Sequence, residues 1–362
     1  MTCFPCTISP GDRSARPAPG VLVTLFLLLV LAACEDEDKL PALGADISQT
    51  SVSGLSSGAY MAGQFHFAHS SIIVGAGIVA GGPYGCAESV FGGIAPTWSV
   101  ALAQNLNRAI NGCMGTTMAS LGVPDVARLE RQAGERAQTG KIDALSDLKG
   151  DRVYLFAGTA DRTVAPSLVR KAAELYEASG VAAADIALRM DIDAGHGFAT
   201  EDEGVSCETT DAPFLNDCDY DQAGAILRQI YRKLEMPDEA RTGALLVFSQ
   251  SEFTTGSGHG LSETGAAFIP DECSNGTPCR VHVAFHGCRQ SREAVGDTFI
   301  TGAGYNRWAS TNRLIVLYPQ IAKSSLNPRG CWDWWGYTGP QFLNREAPQI
   351  KAVRAMLDRL AQ

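Results

Sequence analysis

Apolar and polar residues follow two kinds of pattern along this chain. Short runs in which apolar residues alternate or are continuous, as in β-strands, lie at 47–52, 153–158, 186–192 and 280–288. Longer segments with the character of helices lie at 59–69, 99–111, 124–138, 166–179, 222–234 and 347–360. Because the two kinds of segment alternate, we predict an α/β fold with a mostly parallel sheet and helices on both faces.

A glycine-flanked serine lies where the first strand meets the first helix, in Gly54-Leu55-Ser56-Ser57-Gly58. This is the G-x-S-x-G pattern of a sharp strand-to-helix turn, which exposes a serine hydroxyl and leaves no room for side chains beside it. Ser56 is therefore the candidate nucleophile. The pattern also arises by chance in a chain with 38 glycines, so its interpretation depends on partner residues elsewhere.

An acid and a base follow in the order that α/β-hydrolases use, serine, then aspartate, then histidine. Asp161 comes after the strand 153–158, and the glycine-flanked His196 comes after the strand 186–192. Asp161 is also a plausible turn former or helix cap, and His259 in a glycine-rich loop is the alternative base if the order rule fails. The coincidence of strand, turn and order favours Asp161 and His196.

Acyl transfer also requires two backbone N–H donors that stabilise the negatively charged oxygen of the tetrahedral intermediate. The residue after the nucleophile, Ser57, supplies one of them. The best match for the second is His286-Gly287-Cys288 at the end of the strand 280–288, yet this motif follows the histidine instead of preceding the serine. A circular permutation between the oxyanion strand and the elbow produces this order and leaves spatial neighbours unchanged.

Several separate motifs accompany these residues. They are the segment from Ser53 to Ala62, His286-Gly287-Cys288, Trp308, Val316-Leu317-Tyr318-Pro319 and Gly330-Cys331-Trp332-Asp333-Trp334-Trp335. Together they resemble the poly(3-hydroxybutyrate) depolymerase family, in particular its circularly permuted branch, from about residue 47 to the carboxyl terminus. The resemblance implies a single-domain, circularly permuted α/β-hydrolase that hydrolyses poly(3-hydroxybutyrate) or its oligomers through an acyl-enzyme, with no cofactor.

The resemblance also implies roles for individual residues. The catalytic triad is Ser56, Asp161 and His196, and the amides of Ser57 and Cys288 form the oxyanion hole. The substrate side of the cleft is assigned to His286, Trp332, Trp334 and Trp335. His286 shapes the oxyanion loop without taking a proton, and we expect Trp334 or Trp335 to be exposed to a hydrophobic polyester chain.

Two other functions remain open at this stage. A feruloyl or acetyl-xylan type carbohydrate esterase is the first, because related families share the elbow and the H-G-C motif. A non-catalytic binding protein on a hydrolase scaffold is the second, and it predicts a missing catalytic residue, whereas all three are present. No threonine- or proline-rich linker or additional β-domain is recognisable, so we expect amorphous polymer or soluble oligomers as substrates.

The amino terminus has the features of an export signal. Arg13 and Arg16 precede an apolar run at 21–33, which is short for a membrane span. The run ends in Leu31-Ala32-Ala33-Cys34, which resembles a bacterial lipobox with an acylated cysteine. We therefore predict a signal peptide over 1–33, a lipidated tether over 34–46 and a catalytic domain over 47–362, located in the cell envelope or outside the cell. An ordinary signal peptide is the alternative.

Cysteine usage agrees with export. Without Cys3, Cys6 and Cys34, eight of the 11 cysteines remain, an even number suited to four disulfides. Short loops suggest two pairs, and two further pairs would follow, although connectivity cannot be deduced from sequence: Cys207 with Cys218, Cys273 with Cys279, Cys86 with Cys113, and Cys288 with Cys331. The last pair would join the tryptophan loop to the oxyanion loop. Without a C-x-x-C pair, no zinc site is predicted.

Composition excludes some classes of protein. With 45% apolar and 19% charged residues, the chain has the composition of a globular protein with one substantial core. Its net charge of −10 argues against a nucleic-acid partner. We expect a monomer whose contact with a membrane is limited to the lipid anchor.

Overall fold

Residues 39–89, 97–115 and 124–362 are described by the computed structural model of the chain. They belong to one compact unit, Asp38–Gln362. The predicted signal peptide and the candidate lipidation site Cys34 lie outside the described residues. Among the described residues, no helix combines the length and apolar character needed to span a bilayer.

Strands of the described residues form a large sheet and a small one. In chain order they are β1 (Asp46–Leu55), β2 (Ile73–Val79), β3 (Arg152–Phe156), β4 (Ile186–Arg189), β5 (Phe198–Thr200), β6 (Val205–Ser206), β7 (Leu215–Asp217), β8 (Gly243–Ser249), β9 (Thr264–Pro270), β10 (Arg280–Phe285) and β11 (Leu314–Tyr318). The large sheet has the order β4-β3-β2-β1-β10-β11-β9-β8, and the small sheet has the order β5-β7-β6. The strands from β4 to β11 in that order are parallel, and β9 and β8 extend the sheet in antiparallel fashion.

Helices cover both faces of the large sheet. In chain order they are α1 (Ser57–Ala68), α2 (Trp98–Gly112), α3 (Val126–Gln138), α4 (Pro166–Ala178), α5 (Gln222–Tyr231), α6 (Asp271–Ser274), α7 (Arg292–Val295), α8 (Thr298–Gly302), α9 (Tyr305–Asn312) and α10 (Pro348–Leu360). Alternate residues of one strand enter different cores. Val153 and Leu155 of β3 pack with residues of α1, α4 and α10, whereas Tyr154 and Phe156 pack with residues of α5 and α9.

The strand order confirms the predicted permuted α/β-hydrolase fold. β10 pairs in parallel with β1, and Gly54 faces Phe285 although some 230 residues separate them in the chain. The end of α10 lies beside the start of β1, because the backbone N–H groups of Leu43 and Ala45 donate to the Leu360 carbonyl at 3.2 and 2.9 Å. The oxyanion strand and the elbow strand are therefore neighbours in space although they lie at opposite ends of the chain.

The segment before β1 corrects the predicted tether. Leu40 is buried in the same core as α10, and Ala45 is buried as well. The Leu40 carbonyl also accepts a hydrogen bond from the Arg359 guanidinium at 3.4 Å. Residues 40–45 thus pack on the catalytic body, and a hydrated tether cannot extend as far as residue 46.

The described residues contain four disulfides, and these join the same pairs that were proposed from sequence. The pairs are Cys86–Cys113, Cys207–Cys218, Cys273–Cys279 and Cys288–Cys331. The last of them joins the loop after β10 to the tryptophan loop. Disulfides persist in oxidising compartments, so the chain is an exported protein.

Candidate active site

The elbow holds Ser56 in a backbone conformation that is unfavourable for a side-chain-bearing residue. Its φ is 57° and its ψ is −117°, and its N–H donates to the Val79 carbonyl at 2.9 Å. A Cβ atom at Gly54 would clash with the backbone of Gly58, and a Cβ atom at Gly58 would clash with the Phe285 carbonyl. The two glycines are therefore required for β1 to turn directly into α1.

Asp161 and His196 form a buried hydrogen-bonded pair. His196 Nδ1 lies 2.8 Å from Asp161 Oδ2. The second carboxylate oxygen, Oδ1, accepts from the N–H groups of Thr163 and Val164 at 2.7 and 3.0 Å. With the Nδ1 proton directed at the carboxylate, the free lone pair of a neutral His196 is on Nε2.

A separate segment of the chain holds the histidine loop in place. The His196 N–H donates to the Thr210 hydroxyl at 2.8 Å, and the Gly195 N–H donates to the Cys207 carbonyl at 2.7 Å. The Cys207–Cys218 disulfide closes this segment, which also carries β6 and β7 of the small sheet. The small sheet therefore supports the base, and nothing in the residue pattern predicted it.

The three proposed triad residues share one edge of the large sheet. Ser56 follows β1, Asp161 follows β3 and His196 follows β4, all beyond the carboxyl ends of parallel strands. Within the described residues Ser56 Oγ makes no direct hydrogen bond to His196, as is frequent in enzymes without bound substrate. The alternative base, His259, accepts a hydrogen bond from the Leu261 N–H at 3.1 Å and has no carboxylate partner in the described residues.

Both predicted oxyanion donors have free N–H groups. Ser57 is the first residue of α1, so its N–H has no acceptor within the helix. The Cys288 N–H has no hydrogen-bond acceptor in the part of the chain that the structure describes. The two loops touch, since a Cβ atom at Gly58 would clash with the His286 carbonyl. The elbow and the loop after β10 are therefore in direct contact.

His286 lies behind the oxyanion loop with no exposed surface, which agrees with the predicted role of shaping that loop but not with its assignment to the substrate side. Its side chain is fully buried, and burial lowers its pKa to about 4. Nδ1 donates to the Gly287 carbonyl at 2.7 Å, and Nε2 accepts from the Ile321 N–H at 3.2 Å. A neutral imidazole with both nitrogens occupied by backbone groups shapes the oxyanion loop and cannot relay a proton to the ester.

The tryptophans are also more buried than predicted. Trp332 is fully buried in the core, so its assignment to the substrate side is wrong. Trp334 and Trp335 are only 6% and 7% exposed, so the expectation of an exposed ring is wrong too. Trp334 stacks on Tyr60 with ring centroids 4.2 Å apart, and Trp335 packs against Tyr337 at 5.0 Å. Tyr60 comes from a distant segment and Tyr337 from the same loop, and together they help to cover the two rings.

Asp333 lies between Trp332 and Trp334 and holds the turn that follows the tryptophans, at residues 336–338. Its carboxylate accepts hydrogen bonds from the N–H groups of Gly336, Tyr337 and Thr338 at 2.6–3.0 Å and from the Thr338 hydroxyl at 2.6 Å. Burial raises the pKa of this carboxyl, and the same four hydrogen bonds oppose that rise. Sequence reasoning missed this role, although an acidic residue inside an aromatic run was a visible signal.

An apolar cavity of about 410 Å³ adjoins the oxyanion loop. Trp334, Trp335 and the Cys288–Cys331 disulfide line one side of it. The exposed apolar side chains around it are Leu106 and Ile110 of α2 and Leu326, at 42%, 54% and 59% exposure. The solvent-facing apolar surface beside the site therefore comes from α2 and the 326 loop, not from the tryptophans.

Comparisons with known proteins agree with this architecture. No family model matches the chain. The chain is 40% identical over 327 residues to the poly(3-hydroxybutyrate) depolymerase of Delftia acidovorans, covering 89% of this chain and 61% of that protein. It is 34% identical over 346 residues to the polyhydroxybutyrate depolymerase of Talaromyces funiculosus, covering 91% of this chain and 94% of that protein.

Two solved structures are similar over most of their length. One is the crystal structure of PHB depolymerase from Penicillium funiculosum, and the other is a serine-to-alanine variant of PHB depolymerase complexed with an R3HB trimer. Each superposes with a TM-score of 0.77 at 30% identity, covering 89% of this chain and 98% of that structure. On these grounds the chain belongs to the poly(3-hydroxybutyrate) depolymerase family.

Proposed function

We propose that this protein is an exported serine esterase that hydrolyses poly(3-hydroxybutyrate) or its oligomers through an acyl-enzyme. The observation that carries the proposal is the Asp161–His196 pair, 2.8 Å apart, on the same sheet edge as the strained Ser56. An apolar cavity beside the free Cys288 N–H suits the hydrocarbon part of a polyester. The substrate class is taken from the relatives, one of which was solved with an R3HB trimer.

In the first half of the reaction, Ser56 Oγ attacks the ester carbonyl carbon and its proton moves to His196 Nε2. The imidazolium that forms is stabilised by Asp161, which accepts from Nδ1. The carbonyl oxygen becomes an oxyanion and accepts from the N–H groups of Ser57 and Cys288. Such preorganised donors stabilise the transition state, and loss of one costs about 10²–10³ in rate.

The second half releases the product. The C–O bond of the ester breaks, and the departing alkoxide takes the proton from His196 Nε2. Water then attacks the acyl-Ser56 ester while His196 accepts its proton, and breakdown of the second tetrahedral intermediate returns the hydroxyl of Ser56. Each turnover therefore gives two fragments, one with a new hydroxyl end and the other with a new carboxylic acid end.

The cavity favours a polyester over a sugar ester. Most of its lining is apolar or aromatic, and hydroxybutyrate units present one methyl and one methylene group each to such a surface. A polysaccharide-linked ester presents many hydroxyl groups that require hydrogen-bonding partners. Soluble oligomers and amorphous polymer are the proposed substrates, and a feruloyl or acetyl-xylan activity is an outcome that the experiment below would reveal.

We also propose that the enzyme is a monomer anchored by an acylated Cys34, after removal of residues 1–33. The lipobox-like sequence supports this assignment. Intact-mass measurement of protein from the membrane fraction of a bacterial host tests it, because a diacylglyceryl group adds a large, defined mass. Release of the enzyme in a Cys34→Ser variant is the expected result, and an unmodified wild-type chain would contradict the anchor.

The main experiment uses residues 35–362 with intact disulfides, alongside the Ser56→Ala variant. Both proteins are incubated with amorphous poly(3-hydroxybutyrate), and released products are identified by mass spectrometry. We expect hydroxybutyrate monomers or oligomers from the wild type only, since loss of a catalytic serine typically lowers kcat by about 10⁶. Cleavage of a p-nitrophenyl ester without attack on the polymer would overturn the substrate, and activity in Ser56→Ala would overturn the nucleophile.

A further inference from the structure

Gln290 has a buried side chain just after the oxyanion loop, and both the oxygen and the nitrogen of its amide group form hydrogen bonds with backbone groups. Its Oε1 accepts from the Gly287 N–H at 2.7 Å. Its Nε2 donates to the carbonyls of Pro213 and Phe214, both at 3.0 Å. One amide side chain therefore joins two segments that are more than 70 residues apart in the chain.

Each segment that the Gln290 amide joins also holds a residue of the proposed active site. Gly287 immediately precedes Cys288, whose N–H is one of the two oxyanion donors. The Phe214 carbonyl also accepts from the Phe198 N–H at 2.8 Å, and Phe198 lies two residues after His196. In the described residues, every hydrogen bond between the segment 286–290 and the segment 205–218 comes from Gln290.

We propose that Gln290 is a positioning residue that keeps the oxyanion donor at Cys288 and the base His196 at a set separation. The inference rests on the proposed esterase function. In the transition state the oxyanion and the attacked carbon belong to the same tetrahedral group, so both protein groups must reach it together. A misplacement of about 1 Å can lower the rate about a hundredfold, even when each group is intact.

A glutamate at this position breaks only one side of the bridge, and it does so in a pH-dependent manner. An ionised carboxylate still accepts from the Gly287 N–H but has no proton to donate to the carbonyls of Pro213 and Phe214. It also repels those carbonyl oxygens. When protonated, the carboxyl group has one O–H donor and restores part of the bridge. Q290E should therefore be most impaired at high pH and least impaired at low pH.

Gln250 provides a matched control. It is equally buried, its Nε2 donates to the carbonyls of Ser262 and Gln320 at 2.9 and 3.0 Å, and its Oε1 accepts from the Gln320 N–H at 3.0 Å. The pattern is the same as that of Gln290, two carbonyls and one N–H, but it joins loops beside β8, β9 and β11. Q250E introduces the same buried carboxylate at a side chain that makes no direct hydrogen bond to either the oxyanion loop or the histidine loop.

The experiment measures kcat and KM for a soluble p-nitrophenyl ester across neutral and mildly acidic pH, together with Tm, for the wild type, Q290E and Q250E. At about pH 8 we expect kcat of Q290E to fall about ten- to a hundredfold with KM nearly unchanged. The ratio of Q290E to wild-type kcat should rise as the pH falls. Q250E should lose a similar amount of Tm and keep the wild-type kcat at every pH.

The catalytic residues are common to all three proteins, so the ratios of their pH profiles isolate the introduced carboxyl group. The other charged or titratable side chains on the two joined segments and just after them are His286, Arg289, Arg292, Glu208, Asp211 and Asp217. These groups are also present in Q250E, and their effects cancel in the comparison.

The inference is overturned if Q290E retains wild-type kcat, or if its kcat ratio is independent of pH and matches that of Q250E. Should Q290E fail to fold, Q290M supplies the test. Methionine has a similar length but no amide group. With kcat calculated per active site, counted by fluorophosphonate labelling, we expect Q290M to have a lower kcat than the wild type at every pH. An inactive wild type would overturn the proposed function, whereas an active wild type with a normal Q290M would overturn only the role of Gln290.

Discussion

The elbow and the histidine loop both contain glycines at which a side chain would clash with backbone. They differ in where the clashing backbone lies in the chain. At the elbow, a Cβ atom on Gly54 would clash with Gly58, which belongs to the same short motif. In the histidine loop, a Cβ atom on Gly195 would clash with the Thr209 carbonyl. The elbow constraint is thus partly internal to its motif, whereas the glycine before His196 is required by a segment more than ten residues away.

That second segment is itself assembled from several interactions. The Asn216 amide donates to the carbonyls of Cys207 and Thr209 at 2.7 and 2.5 Å, and the Cys207–Cys218 disulfide closes the loop. Damage to the elbow should therefore affect the main sheet itself. Damage to the segment 205–218 should lower activity while the main sheet stays folded.

The largest effect is expected for Gly58→Ala. The new methyl group would clash with the Phe285 backbone, where β10 pairs with β1, and we expect a loss of more than about 4 kcal/mol or no soluble protein. Gly63→Ala in the same helix is the control, because its Cβ has only ordinary contacts at 3.9 Å and alanine favours helix by about 1 kcal/mol. Thermal unfolding measures both, and a stable, active Gly58→Ala enzyme would contradict the steric account of the elbow.

Removing the Cys207–Cys218 disulfide tests the other half of the comparison. In the double serine variant the segment behind His196 is freed, and we expect kcat on a soluble ester to fall at least about tenfold. Far-UV circular dichroism should still show the folded main sheet. The double serine variant of Cys273 and Cys279 is the control, since that small disulfide lies before β10. Equal losses of kcat in both variants would show that the small sheet has no special role.

Mild acid should destabilise the elbow side of the sheet through two buried histidines of β10 and its loop. Burial lowers the pKa of His282 to about 3 and that of His286 to about 4, below the ordinary 6.5. The unfolded chain therefore binds protons that the folded chain does not, and stability falls as the pH drops below 6.5. The loss is about 1.4 kcal/mol per pH unit for each histidine. A Tm that stays constant between pH 6.5 and 5, where carboxylates are still ionised, would contradict this expectation.

The smallest effect is expected for Thr210→Val. This change removes the hydroxyl that accepts from the His196 N–H and retains the shape of the side chain. One lost hydrogen bond of about 1 kcal/mol predicts a severalfold drop in kcat and little change in Tm. Thr139→Val, at the end of α3, removes a hydroxyl that donates to the Glu135 carbonyl and serves as the control. No difference in kcat between the two variants would remove Thr210 from the support of the base.

Much of the fold could be predicted because its signals are local. The elbow motif, the strand before Asp161 and the four disulfide pairs proposed from sequence all appear in the structure. The permuted order was also predicted, because the H-G-C motif follows the serine in the chain instead of preceding it. The antiparallel strands β8 and β9 and the small sheet were not predicted, since short strands with mixed burial have no distinct period.

The parts of the site that were misjudged depend on contacts between distant segments. Trp334 was expected to be a candidate for exposure, but Tyr60 stacks on it. His286 was assigned to the substrate side, but its side chain is fully buried and backbone groups occupy both of its nitrogens. Gln290 had no signal in the pattern at all. A buried amide is recognised only when the carbonyls it reaches are known.

The amino-acid sequence by itself determined where the elbow lies, which serine it carries and which strands are followed by a candidate acid and base, because each of these rests on residues a few positions apart. Only the tertiary structure decided which aromatic rings are covered and which side chains hold the oxyanion loop against the candidate base. The physical reason is that burial and hydrogen-bond satisfaction are properties of neighbours in space, and in this chain such neighbours lie as many as 319 residues apart.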